Sequence, residues 1–314
     1  MTSVADMLGA ARAGDRRAVA RLISLVEEDS PDLGSITNAL SAHAGGAYVV
    51  GLTGAPGVGK STITSALVAE YRRRGFRVGV LAVDPSSPFS GGALLGDRVR
   101  MAEHSGDDGV YVRSLAARGH LGGLARSVPH ALRVLDAVGY GVLLVETVGV
   151  GQSEVDIAAA ADTTVVLLAP GMGDGIQAAK AGVLEIADIL VVNKADRDGA
   201  EATAQQVAAV LARTTAGRGW EAPVLRTVAT TGVGIAALVD AIAAHRRTLD
   251  STGALDLRRR RRAIAEIEAI AVGMLRRRML TAVGDRVLDA LAAAVVAGHL
   301  DPVTAARRLI ADNG

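Results

Sequence analysis

Apolar and polar positions along the chain form two alternating patterns from residue 46 to about 250. Short runs rich in Val, Ile and Leu are followed by longer segments whose apolar residues recur every three or four positions. The short runs are typical of buried strands, and the longer spacing is typical of amphipathic helices. The predicted strands span 47–53, 77–83, 109–113, 141–147, 163–169, 189–193 and 224–229. Repeated strand–helix units predict an α/β fold with a mostly parallel central sheet and helices on both faces.

Helices are predicted between these strands and at both ends of the chain. The inner helices are predicted at 60–74, 121–138, 152–161, 175–187, 199–215 and 234–248. Residues 1–45 predict an N-terminal extension of two or three short helices before the central domain, 46–250. Residues 251–314 are predicted to form a helical arm. It begins with a long helix that carries an apolar stripe and ends with helices near 284–297 and 302–311. The apolar stripe must be covered either by the central domain of the same chain or by a second subunit. In the second case, residues 251–314 would form a dimerisation arm.

Composition excludes several classes of protein. The 314 residues contain no cysteine, which excludes disulfides, thiolate nucleophiles and thiolate metal sites. A formal net charge of +1 argues against bulk electrostatic binding of nucleic acid, and the run Arg258–Arg262 has no interleaved aromatic residues. The run therefore favours a solvated helix face or a salt-bridged interface. No apolar run has the length of a membrane span, and the N-terminus lacks a secretory core, so we expect a soluble, cytoplasmic protein without a membrane partner.

The segment Gly54-Ala55-Pro56-Gly57-Val58-Gly59-Lys60-Ser61 matches G-x-x-x-x-G-K-[ST], the phosphate-binding P-loop. The backbone N–H groups of such a loop and the N-terminus of the following helix point at phosphate oxygens. We expect Lys60 to contact the β/γ phosphates, Ser61 to bind Mg²⁺, and Thr62 to complete the nucleotide-binding segment. A glycine-rich turn without phosphate is the alternative, which the flanking strand and helix disfavour.

The segment Asn193-Lys194-Ala195-Asp196 follows a predicted strand and matches N-K-x-D, the guanine-reading element of GTPases. The Asp196 carboxylate can accept hydrogen bonds from the ring N–H and the 2-amino group of guanine, whereas adenine has no such donor pair. The sequence therefore predicts GTP or GDP as the ligand. Residues 227–232, which include Ala229, are expected to cap the base through backbone amides.

Acidic residues at or after strand ends are candidate Mg²⁺ ligands. Glu146 ends an apolar strand in the pattern E-x-x-G, and the N–H of Gly149 is expected to contact the γ-phosphate. Asp84 ends the strand predicted beside the P-loop strand, and Asp97 lies in a glycine-rich segment with Arg98 and Arg100. Ligands of parallel sheets bind beyond the carboxyl ends of the strands, where these residues fall. The predicted metal ligands are Ser61, Asp84, Asp97 and Glu146.

Two further loops face the same predicted edge. Residues 171–175 hold three glycines, and Lys180 follows them as either a surface charge or part of an element that reports the nucleotide state. Gln152 could orient the attacking water, but its spacing from Gly149 differs from that in Ras-like proteins, which argues against this role. His120 lies in a further loop of this edge, where a plain loop histidine is favoured over a ligand.

Taken together, these motifs resemble those of the MeaB/ArgK/MMAA family of P-loop GTPases, the methylmalonyl-CoA mutase-associated GTPase chaperones. The resemblance rests on G-A-P-G-V-G-K-S-T, V-D-P-S-S-P, G-D-R-V-R-M, V-E-T-V-G-V-G-Q-S-E, G-D-G-I-Q-A-A-K and N-K-A-D, in that order. It covers about 45–250, and the helical extension and arm fit the layout of the family.

The resemblance implies a homodimeric GTPase metallochaperone that uses GTP/GDP and Mg²⁺. Its implied partner is a cobalamin-dependent acyl-CoA mutase, chiefly methylmalonyl-CoA mutase, and adenosylcobalamin would be handled through that mutase rather than bound tightly. Lys60 and Glu146 are implied to act at the phosphates, and Lys180 to couple partner binding to hydrolysis. The implied phosphate and metal site is Lys60, Ser61, Asp84, Asp97 and Glu146, and Asn193 and Asp196 are implied to contact guanine.

Three alternatives are open. A kinase of a transport-linked protein would need a base beside an acceptor hydroxyl, and the sequence shows no such constellation. A nickel-inserting GTPase would need a cluster of Cys or His, and the six histidines lack metal-ligand spacing. A nucleotide-gated scaffold with incidental hydrolysis would keep its function in a variant that binds GTP without hydrolysing it.

Overall fold

The structure is a computed structural model, and it describes the chain in nine stretches. These are residues 3–27, 33–85, 104, 106–117, 127–147, 153–171, 183–214, 219–283 and 285–311. The chain forms two compact units, Met1–Asp256 and Leu257–Gly314.

The described strands of the first unit form one parallel sheet of seven strands. They are β1 (Tyr48–Gly54), β2 (Val78–Pro85), β3 (Val110–Ala117), β4 (Val142–Thr147), β5 (Thr163–Leu168), β6 (Ile189–Asn193) and β7 (Val224–Thr227). Their order is β3-β2-β4-β1-β5-β6-β7, which places β1 between β4 and β5. Each predicted strand overlaps an observed one, so the α/β prediction with a parallel sheet is confirmed.

Helices cover both faces of this sheet, as predicted. In the described residues of the first unit they are α1 (Val4–Arg12), α2 (Arg16–Glu27), α3 (Leu33–Ser41), α4 (Lys60–Arg73), α5 (Ser127–Val138), α6 (Ser153–Ala160), α7 (Ala200–Thr214) and α8 (Ile235–Thr252). One face packs against α1–α3 and α5, with Leu143 of β4 in the shared core. The adjacent Leu144 points into the other core, against α4 and α8. Because both faces are buried, parallel strands have continuous apolar runs rather than alternating ones.

One predicted helix differs in its described part. The prediction spans 175–187, whereas the described residues form a short 3₁₀ helix, Val183–Ile186. The chain is fixed directly after it, because the backbone N–H of Asp188 donates to the Thr164 carbonyl oxygen at 3.0 Å. The Asp188 carboxylate accepts from the Thr164 N–H at 2.9 Å, so β6 begins at once.

A buried polar cluster lies at the amino ends of β1, β5 and β6, at the edge opposite the P-loop. Thr163 Oγ1 is 2.6 Å from the Tyr48 hydroxyl and 2.8 Å from His245 Nδ1. His245 of α8 is fully buried, and its Nε2 lies 3.4 Å from an Asp188 carboxylate oxygen. Burial raises the pKa of Tyr48 to about 12, so the phenol stays neutral. The cluster fixes α8 to the sheet.

The remaining helices among the described residues are α9 (Ala254–Val283), α10 (Asp285–Val296) and α11 (Pro302–Ala311), and α10 contacts α11. The predicted stripe on α9 is exposed, with Ile264 at 56% and Ile267 at 65% of their full accessible surface. Among the described helices, none combines the length and the apolar content that crossing a bilayer requires.

Candidate nucleotide-binding site

The P-loop connects the end of β1 to the start of α4, as the sequence predicts. Gly59 is the residue before α4 and has a left-handed backbone, with φ +95°. A Cβ atom added at Gly59 would lie 2.5 Å from Asn193 Nδ2. Only glycine satisfies both the backbone conformation and the close approach.

Lys60 is the first residue of α4 and is buried within the loop, with 8% of its surface exposed. Its ammonium donates to the carbonyl oxygens of Gly54 at 2.8 Å and Ala55 at 3.2 Å. A buried cation needs such acceptors, and phosphate oxygens would supply stronger ones. The neighbouring Thr62 is exposed, as are Pro56 and Gly57 at the tip of the loop.

The Glu146 carboxylate lies against the first turn of α4. Glu146 is 4% exposed at the end of β4, the strand beside β1. Its Oε1 accepts a hydrogen bond from the Ser61 hydroxyl at 2.7 Å, and its Oε2 accepts from the Thr64 hydroxyl at 3.0 Å. The structure therefore brings together two of the four predicted metal ligands.

This donor set fits Mg²⁺. Hydroxyl and carboxylate oxygens are the ligands that Mg²⁺ prefers, and it usually takes one or two carboxylates together with phosphates and waters. The described residues contain no cluster of three or more His, Cys, Asp or Glu side chains suited to a metal. Asp84 is the penultimate residue of β2, opposite Ala116 of β3, at the same carboxyl edge of the sheet. The prediction that its strand lies beside the P-loop strand is wrong, because β4 lies between β2 and β1.

Asn193 joins the predicted guanine-reading segment to the P-loop. It is 2% exposed, and its Nδ2 donates to the Val58 carbonyl oxygen at 2.9 Å. Its Oδ1 accepts from the Thr227 hydroxyl at 3.1 Å and from the Ala229 N–H at 3.2 Å. These contacts place the N-K-x-D segment, the loop after β7 and the P-loop at one locus.

The two charged residues after Asn193 are accessible to a ligand. Lys194 has a left-handed backbone, with φ +56°, and its ammonium donates to the Gly57 carbonyl oxygen at 2.6 Å. Asp196 is exposed, and the intervening Ala195 N–H donates to the Thr227 carbonyl oxygen at 3.0 Å. A carboxylate held by a fixed turn and open to solvent can accept from a guanine edge.

Helix α4 is also held along its outer surface. His104 Nε2 lies 2.9 Å from the Ser65 hydroxyl, and Arg72 donates to both oxygens of Asp107 at 2.7 and 2.8 Å. The Arg72 guanidinium lowers the pKa of the Asp107 carboxyl. The helix that carries Lys60 and Ser61 is therefore fixed from the sheet side and from the chain before β3.

Sequence reasoning missed some of these residues, and others lie outside the described ranges. Thr64, Ser65 and His104 were not predicted as parts of the site, and Thr227 was predicted only through its backbone amide, not through its hydroxyl. Thr64 had a signal, because it lies three positions after Ser61 and therefore on the same helix face. The predicted residues outside the described ranges are Asp97, Arg98, Arg100, His120, Gly149, Gln152 and Lys180, so their roles remain predictions.

The parallel sheet, the P-loop and the N-K-x-D segment with its buried Asn193 define a P-loop GTPase. The family model described as "Methylmalonyl Co-A mutase-associated GTPase MeaB" matches residues 19–283. The chain belongs to this family and is a GTP hydrolase.

Relatives and solved structures agree with the family. A Pyrococcus abyssi protein named as a GTPase is 46% identical over 308 residues, covering 97% of this chain and 95% of its own. The Mus musculus protein named "Methylmalonic aciduria type A homolog, mitochondrial" is 39% identical over 216 residues, covering 68% of this chain and 52% of its own. A crystal structure titled "LAO/AO transport system kinase" has a TM-score of 0.71 at 27% identity, covering 98% of this chain and 96% of its own. The predicted P-loop NTPase fold is confirmed.

Proposed function

We propose that this chain is a GTPase metallochaperone that gates the loading of adenosylcobalamin onto a cobalamin-dependent acyl-CoA mutase, methylmalonyl-CoA mutase, and protects that mutase. The observation that carries the proposal is the family match, whose description names this mutase and which covers residues 19–283. Adenosylcobalamin is handled through the mutase rather than bound tightly by the chain. The cytoplasm is the proposed location.

The residues of the site support a slow GTPase that signals through its nucleotide state, rather than an enzyme with fast turnover. Lys60 would hold the β/γ phosphates, and Asn193 and Asp196 would select guanine. Ser61 and Glu146 would hold Mg²⁺, which when bound neutralises charge on the phosphates. The sequence offers no well-placed glutamine to orient the attacking water, because the spacing of Gln152 from Gly149 along the chain differs from that in Ras-like proteins. We therefore propose slow hydrolysis by the chain alone and faster hydrolysis with the mutase.

The arm supports a homodimer. Exposed apolar residues on α9 include Ile264, Ile267 and Leu275, and a stripe of this kind is stable only when covered. Residues 257–314 of the arm contain eleven arginines and six acidic residues. Two such arms would repel each other unless arginines of one arm pair with acidic residues of the other, so we expect such pairs across the dimer contact. A second copy of the chain is the proposed cover.

Light scattering after size-exclusion chromatography tests the dimer. The Ile264→Glu/Ile267→Glu variant should be monomeric, whereas Ala269→Glu should stay dimeric because position 269 lies on the opposite side of α9. A monomeric wild-type chain would contradict the homodimer.

Loading of the mutase tests the main proposal. Apo-mutase and adenosylcobalamin are mixed with the chain and either GTP or a non-hydrolysable analogue, and the cobalamin absorbance of the mutase is followed. The analogue should change the rate or extent of loading, whereas Lys60→Ala should remove any nucleotide effect. Loading that is the same with GTP, the analogue and no nucleotide would contradict gating. Unchanged function of a variant that binds but does not hydrolyse GTP would favour the scaffold alternative.

A protein kinase is the second candidate, because the similar crystal structure is titled as a transport system kinase. Labelled γ-phosphate separates the two candidates. The proposed GTPase delivers it to water as inorganic phosphate, whereas a kinase delivers it to a protein hydroxyl.

A further inference from the structure

Two hydroxyls of α4 contact the two oxygens of one buried carboxylate. Ser61 donates to Glu146 Oε1 at 2.7 Å, and Thr64 Oγ1 lies 3.0 Å from Glu146 Oε2. Thr64 has no exposed surface. Its hydroxyl also lies 3.0 Å from the Lys60 carbonyl oxygen, but a single O–H donates preferentially to the charged acceptor.

We propose that Thr64 is a positioning residue for Glu146. Its hydroxyl holds Oε2 and so fixes the last side-chain torsion of Glu146, which leaves Oε1 directed at Ser61 and at the metal that Ser61 would bind. This torsion joins tetrahedral and planar carbons and is soft by itself, so an external donor is needed to fix it. The proposal rests on the Mg²⁺ role of Ser61 and Glu146, and it is independent of the mutase partner.

The length of the glutamate explains why Thr64 has this role. An aspartate at position 146 would be one methylene shorter. The glutamate contacts α4 at two places, Ser61 and the residue three positions later on the same helix face, Thr64. Because a buried carboxylate oxygen without a donor is costly, Oε2 needs the hydroxyl at position 64.

The test is the effect of Mg²⁺ on GDP binding, measured by calorimetry with EDTA and with saturating Mg²⁺. The ratio of the two dissociation constants reports on the metal without requiring turnover. Thr64→Val keeps the shape of the side chain and removes the hydroxyl, whereas Thr64→Ser keeps the hydroxyl. Thr248→Val is the matched control, because Thr248 makes the same type of helix contact with the Ala244 carbonyl oxygen, at 3.2 Å in α8.

Thr64→Val should reduce the Mg²⁺ effect about 10- to 100-fold, the usual loss when a partner of a metal ligand is removed. Thr64→Ser and Thr248→Val should keep it. In a Glu146→Gln background, Thr64→Val should cause no further loss, because Thr64 acts through Glu146. Thermal unfolding of each variant shows whether the domain remains folded.

Three results would overturn the proposal. An unchanged Mg²⁺ effect in Thr64→Val, with a lost effect in Glu146→Gln, would remove the role of Thr64 alone. Equal losses from Thr64→Val in the wild-type and Glu146→Gln backgrounds would show that Thr64 acts independently of Glu146. An unchanged Mg²⁺ effect in Glu146→Gln would remove the metal role of Glu146 and this proposal with it.

Discussion

Asn193 Nδ2 donates a hydrogen bond to the Val58 carbonyl oxygen at 2.9 Å, across 135 positions of sequence. Because the same side chain accepts from Thr227 and Ala229, one buried amide holds three loops together. The phosphate and guanine ends of the site therefore share a fixed geometry, and a change at one end should alter binding at the other.

Replacing Gly59 by alanine should weaken nucleotide binding through this link. The new Cβ would lie 2.5 Å from Asn193 Nδ2, and Asn193 is buried and bonded at both ends, so it cannot move away. We expect the GDP dissociation constant to rise at least about tenfold, as measured by calorimetry, because a lost hydrogen bond to a buried group costs about 1–3 kcal/mol.

Gly75→Ala is the matched control for backbone strain. Gly75 also has a left-handed backbone, with φ +84°, but apart from its chain neighbours no described residue has an atom within 4 Å of an added Cβ. The Gly75→Ala variant should have a free energy of unfolding about 1–2 kcal/mol lower than the wild type, with little change in GDP affinity. Equal affinity losses in both variants would contradict the contact-based explanation.

Replacing Asp196 by asparagine should change the preferred base. Asparagine lacks the second acceptor for guanine, but its amide can donate to the 2-carbonyl oxygen of xanthine. We expect GTP affinity to fall about 100-fold or more, since hydrogen bonds to charged groups contribute about 1.5–3 kcal/mol each. Competition between GTP and xanthosine triphosphate measures the change. Asp198→Asn, two positions later and also exposed, should have no effect, and an equal effect there would contradict the guanine assignment.

The lysines offer a direct probe of occupancy. The chain has three, Lys60, Lys180 and Lys194, and all lie in segments predicted to serve the nucleotide. GDP should protect Lys194 from an amine-reactive reagent, because the ligand would cover the loop that its ammonium contacts at Gly57. Mass spectrometry reads the labelling, with the N-terminal amine as the internal reference. Protection by ADP equal to that by GDP would contradict guanine selection.

The sheet was predictable from sequence because its strands are buried on both faces. Runs such as Val142–Val145 and Ile189–Val192 are apolar without interruption, which is the signature of parallel strands between helix layers. The P-loop and N-K-x-D segments were predictable because each requires particular residues at fixed local spacing.

The supporting contacts were not predictable, because they join distant positions. His245 and Asp188 are 57 positions apart, and only the packing of α8 on the sheet brings them to 3.4 Å. Thr64 resembles an ordinary helix threonine bonded to its own backbone, a pattern that Thr248 shows without any partner in the site. The bond between His104 and Ser65 depends on where the chain returns to α4.

Replacing Lys180 by alanine should separate binding from stimulation. If Lys180 couples the partner to hydrolysis, GTP affinity should stay within about twofold while the stimulation by the mutase is lost, because the residue then contributes only in the complex. The control is Arg247→Ala, which removes one positive charge from an exposed position of α8. A large loss of GTP affinity in Lys180→Ala would place the lysine in ground-state binding instead.

The most direct test of the central claim is the rate of phosphate release from GTP by the chain alone, by the mutase alone and by the two together. A partner that supplies or orders a missing charge can accelerate such hydrolysis by about 10³–10⁵-fold. The proposal predicts a rate for the mixture at least about tenfold above the sum of the separate rates. Equal rates with and without the mutase would contradict it.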